Sequence, residues 1–124
     1  MDGGGVWLVS FDIDGTLEVG DPPGIVTIQM VRSVKRRGHV IGSCSDRPVS
    51  YQRHLWERLA IVPDFTVLKH RLAEVRDRFA AAAYYHIGDA EADARYASDA
   101  GFRFLKADVA GHAAWALELF GTSA

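Results

Sequence analysis

Val6-Trp7-Leu8-Val9-Ser10-Phe11-Asp12-Ile13-Asp14-Gly15-Thr16 is the stretch that decides the fold. An apolar run of strand length breaks off at two carboxylates one residue apart, with a glycine behind them. Such a run, without polar alternation, reads as a strand buried on both faces. The same grammar repeats outward from it. Residues 25–37 place Ile25, Ile28, Val31 and Val34 at near-helical spacing and close on Lys35-Arg36-Arg37 and Gly38, which suits a helix C-terminus. Val40–Cys44 reads as a second strand, residues 49–60 as a helix starting after Pro48, and Phe65–Leu68 as a third strand. Residues 71–82 read as a helix that ends in the alanine run, and Tyr84–Ile87 as a fourth strand. A helix over 91–99, a fifth strand over Phe102–Leu105 and an alanine-rich helix near 111–120 complete the pattern. Alternating short strands and helices give an α/β fold: a three-layer doubly wound sandwich on a five-stranded parallel sheet.

The chain has 124 residues, 48% hydrophobic and 24% charged, which suits one packed domain and excludes disorder or a disulfide scaffold. The single cysteine, Cys44, has no internal partner and points to a reducing compartment. No basic leader or apolar run of about 18 residues is present, so the expectation is a soluble cytoplasmic protein without a membrane partner. Gly3–Gly5 precedes its strand, whereas a phosphate-cradling glycine loop must follow one. Charge is unevenly spread: −5 over residues 1–31, +6 over 32–78 and −3 over 79–124, within a formal net charge of −2. A basic surface beside an acidic pocket would suit an anionic substrate.

Ligands of doubly wound folds sit beyond the carboxyl ends of the strands. The first strand delivers Asp12, Asp14 and Thr16 there; the second delivers Ser45, Asp46 and Arg47; the third delivers Lys69; and the fourth delivers Gly88, Asp89, Glu91 and Asp93. Carboxylates gathered in one cleft repel one another, and a hard divalent cation removes that cost. All-oxygen ligation points to Mg²⁺ rather than zinc. Lys69 and a serine hydroxyl add a cation and a donor for a bound anion, with Ser43 competing with Ser45 for that part and Arg71 the nearest substitute for Lys69. Carboxylates, Mg²⁺, a lysine and a hydroxyl together are the requirements of phosphoryl transfer. Glu91 suits the first turn of its helix. Trp7, Trp56 and Trp115 read as packing residues, Cys44 as a small buried hydrophobe, and the five histidines share no spacing that assigns them chemistry.

Asp12-Ile13-Asp14-Gly15-Thr16, Ser45 in Ser-Asp-Arg-Pro, Lys69, and Gly88-Asp89 with Asp93 follow one another in an order that resembles the haloacid dehalogenase-like hydrolase superfamily. The resemblance covers nearly the whole chain. It implies that Asp12 is the nucleophile of an aspartyl-phosphate pathway and Asp14 the general acid and then base, its backbone carbonyl touching the metal. Thr16 would orient Asp14, Ser45 would bind phosphoryl oxygens with Arg47 nearby, and Lys69 would neutralise charge. Asp12, Asp14, Asp89 and Asp93 would form the metal set. An acid two residues after the nucleophile resembles the phosphatase branch, so a phosphomonoester is the expected substrate.

Members of that family usually insert a cap after the first motif or before the lysine. Here about nine residues separate Thr16 from the helix near Ile25, and Lys69 follows Leu68 directly. A capless, open cleft is therefore expected, closed by a bulky substrate or a neighbouring subunit in a homo-oligomer, or else loose in specificity. The Leu17–Gly24 loop is the local flap. Arg53, His54 and Arg71 are expected on the rim. A nucleotide or nucleic-acid end phosphate is an alternative substrate, although domains that grip nucleic acid are usually strongly basic. The alternative function is a catalytically silent phosphate- or partner-binding module on the same fold. A receiver-like module fits less well, because its phosphorylated aspartate would follow the third strand, where this chain has Lys69.

Overall fold

The structure, a computed structural model, describes residues 5–120. Five strands form one parallel sheet: β1 (Trp7–Phe11), β2 (Val40–Ser45), β3 (Phe65–Leu68), β4 (Ala83–Gly88) and β5 (Arg103–Lys106). Their spatial order is β3-β2-β1-β4-β5. The helices are α1 (Ile28–Arg36), α2 (Val49–Arg58), α3 (Leu72–Arg78), α4 (Glu91–Ala100) and α5 (Val109–Phe120). This is the expected three-layer α/β sandwich. Among the described residues nothing the size of a cap follows β1, and β3 runs straight into a 3₁₀ turn at Lys69–Arg71.

Alternation along β1 sorts the two faces. Val9 and Phe11 enter one core with Val31 and Val34 of α1, Trp56 of α2, and Trp115 and Leu119 of α5. Leu8 enters the other with Cys44, Leu72 and Val75 of α3, and Ala97 and Ala100 of α4. Ser10 points the same way as Leu8 and is fully buried, a polar residue in the most central strand. The sheet reverses its winding between β1 and β4, so the switch point lies at the carboxyl ends of those two strands.

Several helix boundaries differ from the periodicity, and local contacts account for the clearest of them. The first helix begins at Ile28, not near residue 25. Leu17 and Val26 pair as a bridge, and Thr27 caps the helix by accepting the Met30 N–H at 3.1 Å. Glu18 also accepts the Ile28 N–H at 2.6 Å, which ties the loop after β1 to the helix start. The third helix ends at Arg78 rather than in the alanines. Phe79 turns extended to pack against Phe65, the Tyr84 hydroxyl donates to the Phe79 carbonyl at 2.5 Å, and the Ala82 N–H goes to Val6. The alanine run is thus the lead-in to β4. Likewise α2 stops at Arg58, and Ala60 turns at φ 56°.

Candidate functional site

The parallel register puts Phe11 beside Ser43 and Ile87, so the residues after β1, β2 and β4 emerge together at the switch point. Asp12 continues the β1 ladder by donating its N–H to the Ile87 carbonyl at 2.9 Å, which fixes the base of its side chain. Asp12, Asp89 and Asp93 each bring a carboxylate oxygen within 4.8 Å of one another, a group that could hold a metal ion. Asp12 and Asp93 are buried and Asp89 is exposed, so the group opens to solvent on one side.

Two glycines make this convergence sterically possible. Gly15 turns at φ +75°, and a Cβ there would lie 2.1 Å from Asp89 Oδ2. A Cβ on Gly88 would lie 2.3 Å from Asp93 Cγ. Gly15 and Gly88 are therefore packing requirements as well as turn residues.

Lys69 is buried between the acids, its Nζ 3.3 Å from Asp12 Oδ2, 3.3 Å from Asp93 Oδ1 and 3.5 Å from the exposed Asp46. Burial alone would lower its pKa, but Asp12 and Asp93 outweigh that and push it above the ordinary lysine value, so it stays charged. Asp12 shows the opposite balance. Burial, followed by repulsion from Asp93, raises its carboxyl from 3.8 to about 7 despite Lys69 and the Ile13 N–H at 2.8 Å. Burial would also raise Asp93, yet His86, Lys69 and the Ala90 N–H hold it below the usual carboxylate range. Three carboxylates thus face one ammonium, and the surplus negative charge is what a cation would relieve.

Asp14 stands apart from that group. Its carboxylate takes Arg47 through Nε at 2.7 Å and a second guanidinium nitrogen at 3.3 Å, and it also accepts the Asp21 N–H at 2.9 Å. Burial would raise it, but Arg47 and the Asp21 N–H hold it below its ordinary value. Arg47 in turn lies 4.7 Å over the Tyr51 ring. Thr16 is buried, and its Oγ1 has no hydrogen-bond partner. Ser45 is buried at the end of β2 and accepts the Arg47 N–H at 3.0 Å, which leaves its hydroxyl proton available. Ser43 is already committed: it donates to Gln52 at 2.6 Å and accepts from the Trp56 indole at 3.0 Å. Gln52 completes that clamp by donating to the carbonyls of Arg47 and Val67. The structure therefore separates the two serines, one structural and one at the cleft.

The expected rim residues do not all arrive. Arg53 lines a groove with Pro63, Asp64 and Phe65 at the amino end of β3, the opposite edge of the sheet. Arg71 is exposed and pairs with Glu74. Glu91 lies in the first turn of α4, as its sequence position suggests.

His86 was given no chemical part by spacing, and the structure puts it at the centre. It is fully buried in β4, with Nε2 2.9 Å from Asp93 Oδ1 and Nδ1 2.8 Å from Ser10 Oγ on the neighbouring strand. Ser10 and His86 are register partners in the sheet. The sequence signal was a polar residue inside each of two adjacent apolar strands, two places before the Asp12 and Gly88 ends. A serine-histidine-aspartate set invites a nucleophilic reading, but Ser10 is fully buried and no substrate reaches it. The Cys44 thiol nearby is pushed well up by burial and by Asp12 and Asp93, so it stays protonated, as a small buried hydrophobe should.

Among the described residues no helix is long and apolar enough to cross a membrane. Compared with family models and with curated proteins, the chain matches none.

Proposed function

We propose that this chain is a phosphomonoester hydrolase acting through an aspartyl-phosphate on Asp12, with Mg²⁺ as the cation, as its resemblance to haloacid dehalogenase-like hydrolases implies. The observation that carries the reading is the placement of a buried carboxylate at the switch point, 3.3 Å from an enclosed lysine and grouped with two further carboxylates. The donors fit a hard cation: all are oxygens, and their charge exceeds that of Lys69. Asp12, Asp89 and Asp93 would hold it, and when bound it offsets the charge of the phosphoryl oxygens facing Asp12.

The chain's own residues then divide the work. An Asp12 oxygen attacks phosphorus and the bond to the leaving oxygen breaks, while Lys69 balances the charge on the carboxylate and the phosphoryl group. Asp14 supplies the proton the leaving alkoxide needs. In the second half a water attacks phosphorus, its proton passes to Asp14, and the Asp12 carboxylate is released with phosphate. For Asp14 to act, its Arg47 pair must open; both are partly exposed, so an incoming anion can reach the guanidinium and displace the carboxylate. Ser45 and Arg47 are the donors placed for the substrate. A cytoplasmic setting belongs to the same reading, consistent with one unpaired, buried thiol.

The second reading is a phosphate-binding module without turnover, and the Asp14–Arg47 pair favours it, because it occupies the acid. The test is phosphate release from p-nitrophenyl phosphate and a panel of nucleotides, sugar phosphates and 3′-phosphorylated oligonucleotides, with and without Mg²⁺. Mg²⁺-dependent turnover that Asp12→Asn abolishes supports the hydrolase. No turnover of any ester by protein that binds phosphate establishes the binding module instead.

A further inference from the structure

We infer that His86, backed by Ser10, is a positioning residue that fixes Asp93 and, through it, sets both the cation site and the place of Lys69 against Asp12. This rests on the hydrolase reading for its purpose, but its geometry is independent of turnover. The chain of contacts is continuous and buried. Ser10 Oγ meets His86 Nδ1 at 2.8 Å, His86 Nε2 meets Asp93 Oδ1 at 2.9 Å, and that same Oδ1 meets Lys69 Nζ at 3.3 Å. Lys69 then reaches Asp12 Oδ2 at 3.3 Å. Ser10, His86 and Asp93 are all fully buried, so water cannot replace a lost partner.

The donors can be assigned from the partners. A carboxylate can only accept, so at 2.9 Å it is Nε2 that carries hydrogen toward Asp93 Oδ1. The Ser10 hydroxyl can donate or accept, so it partners Nδ1 at 2.8 Å while Nε2 faces Asp93. With Oδ1 held by His86 and Lys69 and Oδ2 by the Ala90 N–H, the Asp93 carboxylate has one orientation. The missing Cβ of Gly88 makes room for it there, since a Cβ would lie 2.3 Å from Asp93 Cγ. This is the logic by which outer partners orient metal-binding carboxylates, where their loss typically costs about 10–100-fold in metal affinity.

The test is Mn²⁺ binding, followed by electron paramagnetic resonance, to the full chain and to three variants. His86→Gln keeps an N–H near the position of Nε2 and gives up Ser10. His86→Asn keeps contact with Ser10 and gives up Asp93. Ser10→Ala keeps the ring and removes its support. Expected are affinities within about threefold of wild type for His86→Gln, and losses of about tenfold or more for His86→Asn. Ser10→Ala should fall between them. Thermal unfolding of both His86 variants provides the control, since each loses one buried hydrogen bond and a merely structural role would move them together. Equal affinities for the two variants overturn the inference while leaving the hydrolase reading intact; a wild type that binds no Mn²⁺ overturns both. Should the variants fail to fold, nitrogen-15 resonances of wild-type His86 decide: a slowly exchanging Nε2–H, hydrogen-bonded to Asp93, supports the assignment, and an Nε2 without a protected hydrogen overturns it.

Discussion

Asp12→Asn should stabilise the metal-free protein at pH 8 and have almost no effect on its stability at pH 4. Burial and then Asp93 raise the Asp12 carboxyl from 3.8 to about 7, so the folded state prefers the protonated form. The sign follows from linkage: the folded chain binds a proton that the unfolded chain has already released, so stability falls as pH rises from 3.8 toward about 7. That interval is roughly three pH units, and at about 1.4 kcal/mol each it amounts to about 4 kcal/mol. Asparagine has the same shape, can still accept the Ile13 N–H, and carries no charge to bury. Urea or thermal unfolding of both proteins in chelator, at pH values from 4 to 8, measures the difference directly. The gain of the variant should climb through this window to about 4 kcal/mol, on the order of 10 °C in Tm for a domain of this size. Saturating Mg²⁺ should then shrink the gap at pH 8, because only wild type presents a charged Asp12 to the cation. A difference that is flat with pH, or that favours wild type at pH 8, would refute the claim that this carboxylate is held against its own charge.

Arg47→Ala should let the Asp14 carboxyl rise toward its ordinary value, since the guanidinium is the largest influence holding it down, and a carbon-13 titration of the carboxyl should show its midpoint move up. Gly15→Ala should cost about 1–2 kcal/mol for its left-handed backbone and also weaken Mn²⁺ binding, because the new Cβ displaces Asp89. Gly38→Ala is the matched control: its φ is +89° but nothing lies within 4 Å, so stability drops and metal binding does not. Thr27→Ala should cost about 1 kcal/mol in urea unfolding through loss of the α1 cap, with cation affinity unchanged.

The strands were legible because each is a short apolar run with charges or turn residues at its end, and burial on both faces leaves few other uses for such a run. Helix ends were less legible, because tertiary contacts override spacing there. Ile25 keeps the helical period with Ile28, yet the Leu17–Val26 bridge holds that stretch of chain in the loop. Phe79 and Tyr84 pull the alanines out of α3 by contacts that no local propensity encodes. Asp12, Asp89, Asp93 and Lys69 could be placed together from position alone, since the ends of parallel strands meet. Ser10, His86 and Gln52 could not, because a lone polar residue in an apolar segment acquires meaning only once its neighbour is known. Pairing β1 with β4 supplies that neighbour for Ser10, and the step from β2 to α2 supplies it for Gln52.

Charge by segment proved a poor guide to charge in space. The basic middle of the sequence sends Lys69 and Arg47 to the cleft. Lys35 and Arg32 reach the carbonyls of Val62 and Leu59 instead, in the turn before β3, and Arg53 lies at the same end of the sheet. In a parallel sheet each helix runs back toward the amino edge, so a helix that closes on cations, as α1 does with Lys35 and Arg36, delivers them away from the ligand-binding edge. Residues meant to meet an anion at the carboxyl edge must come from strand ends and the first turns that follow. Arg47, Tyr51 and the 14–24 loop meet that condition, and under the proposed hydrolase reading substrate preference would be sought in them.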